Sequence, residues 1–399
     1  MSTGMSKSNL ALSNLRAVVI LIVLAFHSVL AYLDFLPSTP YPFDRPPFEW
    51  QAIPIIDERR WMGFDIFCAW QDVYLMSFMF FLSGLFVWPS LKRKQSGAFL
   101  IERFKRIGLP LVVVVIFVMP IAYYPTYRVS AVDPSVAAYW EAWRALPFWP
   151  SGPLWFLWQL LAFDLIAAAL YRFAPRCGDL LGQLASSARA HPIRYFLGLV
   201  AASSIAYIPL ALIFSPWNWT HFGAFAFQLS RPLHYLVYFL AGLGIGAYGL
   251  ERGLLAPDGS LGKHWGAWLA AALAAFLLWM GLTALTMDDG EKAPLALQFA
   301  ADFAFVLACA TGCFFFVAIF LRFGQHRSPI YDSLSESAYG MYLVHYVFVV
   351  WMQYALLGIP LLAIAKAAIV FSITLLLSWV TTSAMQSLPF GLRLIGTKR

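Results

Sequence analysis

Charged residues are scarce in this chain. Only 12% of its 399 residues are Asp, Glu, Lys or Arg, whereas 61% are hydrophobic. An ordinary soluble domain carries roughly 25% charged residues, so this composition excludes that class, as does the mean hydropathy of +0.71. The sequence predicts instead an all-α polytopic membrane protein, built from apolar helices that cross a bilayer.

Cysteine is rare as well, with four residues in the whole chain. Cys68 and Cys177 stand in separate predicted loops, and the spacing matches neither a disulfide framework nor the paired CxxC of a metal site. Cys309 and Cys313 lie four residues apart in one apolar segment, where small side chains commonly pack between membrane helices. We therefore expect no metal site.

Ten segments are apolar enough to cross a bilayer, which takes roughly 20 residues per helix. The first lacks a small-residue cleavage site behind it and is followed by many others, so we interpret it as a membrane helix and not as a signal peptide. Gly358 and Pro360 separate the last two segments. We expect one integral-membrane domain over residues 1–399, with spans that begin near residues 15, 74, 107, 153, 193, 231, 264, 299, 338 and 361.

Lys and Arg alternate between the connecting segments as the positive-inside rule predicts. With ten spans, both termini are expected in the cytoplasm. The net charge of +7 follows from basic cytoplasmic segments on an anionic membrane surface and does not indicate nucleic-acid binding. The basic segments are 91–106, 172–194, 252–263, 322–327 and the tail with Arg393, Lys398 and Arg399, whereas the opposite set includes 37–73, 124–152 and the net acidic 286–294.

Several ionisable residues fall inside the predicted spans, where a charge costs about 2.5 to 3.5 kcal/mol on insertion scales. Each of them needs a partner or a function. Asp164 and Asp302 are candidates to orient an imidazole or to balance Lys366. The full set is Arg16, His27, Asp164, Asp302, His345 and Lys366.

Arg16 and His27 share one face of the first span. They are eleven residues apart, which in an α-helix leaves them within ~20° of each other and ~16 Å apart along the axis. That separation suits an extended thioester arm whose phosphates stay at the membrane surface. The alternatives are that Arg16 is only a positive-inside flank and that His27 is a packed, hydrogen-bonded polar residue.

His345 lies about two turns into a later span, so it also reaches the bilayer interior. Imidazole can take and return a proton near neutral pH, as a general base must. Arg103 and Arg106 open the third span and project to one side of a helix start, where guanidinium groups can hold phosphates. The alternative for these two arginines is a purely topogenic charge.

Five short motifs occur in order along the chain. They are Arg16 followed after ten residues by His27, FMFFLSGLF (78–86), RFKR (103–106), GPLWFL (152–157) and SAYGMYLVH (337–345). Over nearly its whole length the chain resembles the acyltransferase-3 family of polytopic membrane acyltransferases, whose motifs are an Arg/Lys-to-His pair, FF-x-SG, RxxR, LWFL and S-x-Y-x-x-Y-L-x-H. Within the family it most resembles the branch of the periplasmic glucan succinyltransferases.

This resemblance implies an O-acyltransferase of the bacterial inner membrane. It implies transfer of an acetyl or succinyl group from cytoplasmic acyl-CoA to a hydroxyl of an extracytoplasmic carbohydrate or glycan, without a metal. The expected partners are the lipid bilayer, acyl-CoA and a carbohydrate acceptor. We expect His27 and His345 to be the catalytic residues, with His27 as general base, and Arg16, Arg103 and Arg106 to hold the acyl-CoA phosphates.

Trp155 and Ser83 are the predicted substrate contacts. Trp155 either stacks on a sugar ring or belongs to the interfacial aromatic belt. Ser83 lacks the GxSxG turn of a hydrolase nucleophile, so we interpret it and Gly84 as close-packing residues, with Ser83 a candidate to form a hydrogen bond to the site.

Two other functions fit part of the pattern. A polytopic transporter or flippase for a glycan or lipid-linked substrate also has intramembrane ionisable residues, but the chain shows no pseudo-symmetric halves. A lipid-linked glycosyltransferase needs outward acidic residues for metal or base chemistry, and one outer segment does carry Asp57, Glu58, Asp65 and Asp72.

Overall fold

A computed structural model of the protein describes residues 7–287 and 293–388. The basic tail with Arg393, Lys398 and Arg399 lies outside the described residues, as does 288–292 of the predicted acidic segment. The structure is 77% helical, with one short hairpin of two strands, which confirms an all-α polytopic membrane protein.

The described residues form fifteen α-helices in chain order. The helices are α1 Lys7–Val29, α2 Met62–Gly84, α3 Val87–Arg103, α4 Leu109–Val113, α5 Met119–Ser130, α6 Val136–Ala145, α7 Trp155–Phe173, α8 Arg176–Ser186, α9 Pro192–Phe214, α10 Pro232–Tyr248, α11 Ser260–Lys263, α12 Trp265–Thr286, α13 Leu295–Phe323, α14 Pro329–Ala355 and α15 Ala363–Ser387. Strands β1 Trp219–Phe222 and β2 Phe225–Gln228 pair antiparallel.

Wider and tighter helical turns connect or extend several of these helices. π-Helical turns at Phe104–Gly108 and Val114–Val118 join α3, α4 and α5 into one helical run, Val87–Ser130. Short 3₁₀ turns lie at Leu30–Tyr32, Glu49–Gln51, Gly152–Leu154 and Ser187–Arg189.

Proline occupies the first position of α9, α10 and α14, where its missing N–H and fixed φ suit a helix start.

Eight helical segments among the described residues are long and apolar enough to cross a membrane. Two further helices occupy the remaining predicted spans: α10, with 17 residues, and α14, with 27 residues and the polar side chains of the last motif. Each of the ten predicted segments is therefore helical. Gly358, with φ of +71°, lies between α14 and α15, which confirms the predicted break there.

The predicted start of the second span was wrong. Helix α2 begins at Met62 and not near residue 74, so the predicted outer loop 37–73 ends at Trp61. Asp65, Gln71 and Asp72 lowered the apolar signal of its first turns. The second predicted loop, 124–152, is also shorter, because α5 continues to Ser130 and α6 forms inside it.

Helices α1 and α14 pack side by side and point in the same direction. The Ser13 hydroxyl donates to the Ser335 hydroxyl (3.1 Å) near the start of both helices. Further along, the Gln353 amide donates to the carbonyl of His27 (2.9 Å). Helix α15 packs against both helices, and α13 also contacts α1. We call the end of the bundle that carries Arg16 the inner end, and the opposite end, which carries the segment 33–61, the outer end.

Helices α2 and α10 approach each other through glycines. A Cβ at Gly242 would stand 2.0 Å from the Phe81 carbonyl oxygen, and one at Gly246 would stand 1.9 Å from that of Leu85. From the other side, a Cβ at Gly84 would stand 2.2 Å from the backbone oxygen of Phe239. Small residues allow such close packing of membrane helices, so the predicted packing role of Gly84 is confirmed.

This close contact of α2 and α10 at Gly84, Gly242 and Gly246, which we call the glycine seam, predicts that alanine substitution affects stability differently at two helical glycines. Gly246→Ala should lower the melting temperature of the detergent-solubilised protein, because the new methyl group overlaps Leu85 and overpacking costs about 1 to 3 kcal/mol. Gly198→Ala on α9 is the matched control, since its Cβ meets nothing within 4 Å. Equal melting temperatures for the two variants would contradict the seam.

Candidate active site

The two predicted histidines meet between α1 and α14. His27 Nδ1 lies 3.4 Å from His345 Nε2, and the ring centroids are 5.0 Å apart. His27 Nδ1 also lies 2.9 Å from the carbonyl oxygen of Val23, and His345 Nδ1 lies 2.7 Å from that of Tyr342. Residues from distant parts of the chain thus form one histidine pair.

The carbonyl contacts determine which nitrogen of each ring carries the proton. A carbonyl oxygen can only accept a hydrogen bond, so Nδ1 of both His27 and His345 carries hydrogen. In the neutral rings Nε2 is then a bare acceptor. His345 Nε2 faces the Nδ1–H of His27, while His27 Nε2 keeps its lone pair. The pair therefore presents one basic nitrogen, on His27.

Exposure distinguishes the two rings in the same way. His345 is completely buried, with 0% of its surface exposed. His27 is partly exposed, so it alone can meet a ligand in this structure. His345 stands behind it.

An outer segment covers this pair. The hydroxyls of Tyr123 and Tyr346 both donate to the carbonyl oxygen of Gln51 (2.8 and 3.1 Å), and the Tyr346 ring meets His27 edge-on at 5.6 Å. Trp50, beside Gln51, is fully buried and meets the Tyr123 ring at 5.1 Å. The outer side of the site is thus formed by aromatic rings and one backbone carbonyl.

The predicted phosphate-binding arginines lie toward the inner end, each beside a partner. The Arg16 guanidinium lies 4.6 Å from the centre of the Phe86 ring. Arg103 Nε lies 3.3 Å from the buried carboxylate of Asp164. Arg103 is thus the partner of Asp164, which the sequence alone did not identify. Arg106 pairs with Glu102 at 3.5 Å on the surface.

Contacts between the five motifs bring them together around the histidine pair. The Tyr339 hydroxyl donates to the Arg106 carbonyl (2.7 Å), and the Tyr342 hydroxyl donates to that of Pro153. Gly152 adopts φ of +51°, and a Cβ there would stand 3.0 Å from the Tyr123 hydroxyl. Together with the Arg16–Phe86 and His27–His345 contacts, these link all five segments.

Comparison with known proteins agrees with this arrangement. The profile of the acyltransferase-3 family, described as an acyltransferase domain, matches residues 9–383. The chain belongs to the acyltransferase-3 family. It is a multi-pass membrane O-acyltransferase. No curated protein and no solved structure matches it.

The predicted substrate contacts of the acyltransferase have protein partners. Trp155 stacks on Tyr235 with ring centroids 6.0 Å apart and meets the edge of Trp219 at 5.5 Å. The Ser83 hydroxyl donates to the carbonyl of Met79 in its own helix (2.8 Å). Both positions remain predictions as substrate contacts. Among the described residues, no group of three or more His, Cys, Asp or Glu side chains could hold a metal ion.

A buried ion pair anchors the outer segment. Lys366 Nζ lies 2.6 Å from Asp57 Oδ2, and the two side chains are 1% and 2% exposed. The backbone N–H of Asp57 donates to the carbonyl of Ala31 (3.0 Å), which continues α1 just beyond His27. Asp57 therefore balances Lys366, while Asp302 is buried on α13 (5% exposed).

Two more polar contacts inside the bundle were not predicted. Arg231, 1% exposed, pairs with Asp72 at 2.6 Å. The buried His234 ring lies 2.7 Å from the Ser203 hydroxyl. In the sequence, the only signal for these positions was a polar residue type inside an apolar segment.

The acidic residues of the predicted outer segment give no support to a glycosyltransferase site, since Asp57 and Asp72 both form ion pairs within the protein.

The Asp57–Lys366 pair gives a stability prediction. Asp57→Asn should lower the melting temperature markedly, because an unpaired buried ammonium costs about 3 to 5 kcal/mol. Adding Lys366→Met should restore most of the loss, since both charges are then gone.

The neighbouring exposed Glu58 is the control for this experiment, and Glu58→Gln should leave the melting temperature unchanged. Equal stability of the Asp57→Asn variant and the wild type would show that the pair does not anchor the segment.

Proposed function

We propose that this O-acyltransferase moves an acetyl or succinyl group from acyl-CoA to a hydroxyl of an extracytoplasmic carbohydrate or glycan, with His27 as general base. The observation that carries the assignment is the bare Nε2 of His27, the one basic nitrogen that the buried pair presents to a ligand. A general base must bring such a lone pair within hydrogen-bond reach of the proton it takes.

The reaction proceeds by attack on the thioester. His27 Nε2 accepts the proton of the acceptor hydroxyl as its oxygen bonds to the acyl carbon. The carbon–sulfur bond then breaks, and His27 returns the proton to the leaving thiolate of CoA. One imidazole thus serves both steps, first as base and then as acid.

His345 acts as a positioning residue in this proposal. Its Nε2 accepts from the Nδ1–H of His27, which fixes the orientation of that ring. When His27 takes the proton, its ring becomes positively charged. Its Nδ1–H then still faces His345 Nε2 and the carbonyl oxygen of Val23. Orientation by a hydrogen-bonded partner is the role of the third member of a catalytic triad.

The donor enters from the inner end, which we place in the cytoplasm. Arg16 stands ~16 Å from His27 along α1, so a thioester at His27 leaves the phosphates of an extended acyl-CoA near this arginine. Arg103 is the last residue of α3 and Arg106 lies in the π-helical turn that follows, so both stand inside the neighbouring helical run and not at the helix start expected from the sequence. They supply further guanidinium groups for the phosphates.

The acceptor reaches the site from the outer end. The aromatic side chains there, including Trp155, suit the apolar face of a sugar ring. A chain of this kind with basic cytoplasmic segments fits the bacterial inner membrane, and the motif resemblance favours a glucan of the periplasm as acceptor.

The histidine roles predict distinct kinetic effects. In membrane vesicles supplied with labelled acetyl-CoA or succinyl-CoA, His27→Ala should lower kcat for transfer to the glycan fraction by about 10²- to 10⁴-fold. His345→Phe should lower kcat without changing KM for acyl-CoA. His345→Gln should retain more activity, because its amide oxygen can still accept from His27.

Mass spectrometry of envelope glycans from cells with and without the protein identifies the missing acyl group and its acceptor. Full activity of a correctly inserted His27→Ala variant would refute the base assignment. A raised KM with unchanged kcat in His345→Phe would refute the positioning role.

Arg103 gives a second kinetic prediction, because its guanidinium contacts Asp164 and is also proposed to bind phosphate. Arg103→Ala should raise KM for acyl-CoA by about tenfold, as the loss of a charge-assisted hydrogen bond would. The double variant Arg103→Ala, Asp164→Asn removes the unpaired carboxylate as well, and its KM should stay raised. Return of KM to the wild-type value would show that Arg103 only balances Asp164.

A further inference from the structure

A cavity of about 540 Å³ opens at the inner end of the acyltransferase. Its wall is formed by α3, by the last turn of α7 and by the start of α8. The cavity lies apart from the histidine pair and includes no residue of the five motifs. The residues that matter for its chemistry are Trp88, Lys92, Gln95, Tyr171, Arg172 and Asp179.

The lining combines positive charge with an aromatic surface. Lys92 and Arg172 supply two cations, and Tyr171 packs edge-on against the buried Trp88 at 5.3 Å. Lys92 lies 3.7 Å from Asp179, but these side chains are 53% and 67% exposed. Such an exposed pair is weak, so Lys92 can turn to a phosphate that carries more charge.

The backbone beside the cavity is held in an unusual conformation. Gln95 has φ of 65° and ψ of 161°, which interrupts α3. Its amide donates to the Tyr171 hydroxyl (3.3 Å), and the neighbouring Ser96 hydroxyl donates to the Ala168 carbonyl on α7 (3.1 Å). A residue other than glycine is strained when its φ is positive, and such backbone strain concentrates at ligand sites. Here the interruption leaves room between α3 and α7.

Along the bundle from its outer to its inner end, the cavity lies beyond the histidine pair and the arginines. Tyr339, bonded to the Arg106 carbonyl, lies about 9 Å inward of His345 along α14. The Arg103–Asp164 pair lies at this inner part of the bundle, and Arg172 lies about 12 Å beyond Asp164 on α7. The order from the outer end is therefore histidines, arginines, cavity.

Acyl-CoA has the same order of parts: the thioester, the pyrophosphate and then the nucleotide. We propose that the cavity binds the nucleotide end of acyl-CoA, with the adenine against Tyr171 and the 3′-phosphate between Lys92 and Arg172. Stacking of a base on an aromatic ring and pairing of phosphate with Arg and Lys are the matching interactions. This inference rests on the proposed function, because it takes acyl-CoA as the donor.

Calorimetric binding of CoA and of 3′-dephospho-CoA to the full-length protein in detergent tests the inference. The wild type should bind CoA about tenfold more tightly than 3′-dephospho-CoA, as expected for one charge-assisted contact. Lys92→Ala and Arg172→Ala should weaken CoA binding and remove most of this preference. Arg93→Ala is the matched control, since Arg93 is exposed next to Lys92 but does not line the cavity, and it should keep the preference.

Failure of this inference can be distinguished from failure of the proposed function. If the wild type binds neither compound, the acyl-CoA donor itself is refuted. If the wild type binds CoA and the two cavity variants bind both compounds as the wild type does, only the nucleotide site is refuted.

An anionic lipid headgroup offers the same phosphate chemistry. Binding is therefore repeated in vesicles of phosphatidylcholine alone and in vesicles that also contain phosphatidylglycerol. A loss of the 3′-phosphate preference in both variants in phosphatidylcholine vesicles supports the nucleotide site. Variants that keep the preference there, but lose stabilisation by phosphatidylglycerol, would assign the cavity to lipid and overturn the proposal.

Discussion

Helices α1 and α14 lie side by side in the same direction, and their contact places His27 and His345 within 3.4 Å although 318 residues separate them in the chain. Either ring alone, in an apolar helix, would be a costly polar group. Together with the carbonyls of Val23 and Tyr342 they satisfy three of their four ring nitrogens. The fourth, Nε2 of His27, is the nitrogen that we propose as the general base.

Three acidic residues of the bundle are paired in the same manner. Asp164 pairs with Arg103, Asp57 with Lys366 and Asp72 with Arg231. The Asp57–Lys366 pair holds the outer segment 33–61 onto the bundle, and the Asp72–Arg231 pair joins α2 to the start of α10. The lack of water in a bilayer makes each pair a strong constraint on which elements lie together.

The sequence was sufficient to locate ten apolar segments, each of which is helical in the structure, because apolar runs of span length are a strong signal. It failed for the start of α2, where Asp65 in the first turn and Asp72 further along interrupt the apolar pattern, because their partners lie elsewhere in the chain. For the site, helical geometry alone placed Arg16 and His27 on one face. The depth of His345 in a later span marked it as a second candidate, and the family resemblance then included it in the last motif.

The distances within the site could not be predicted from the sequence. The His27–His345 contact depends on how two helices pack, which no local pattern specifies. The carbonyl of Gln51 is a backbone group, so no residue type could have marked it. Asp57 and Lys366 were visible as charges, but not as partners. What local pattern predicts is which residues need a partner, and tertiary packing decides which partner they receive.

The glycine seam between α2 and α10 has a mechanical consequence. Where the added Cβ of Gly242 or Gly246 would lie within about 2 Å of the facing backbone, the two helices cannot slide or rotate past each other without collision. They form a rigid block. A rearrangement that admits the proposed acceptor to His27 must then take place on the other side of the site, in α1, α14 and the segment that Lys366 anchors.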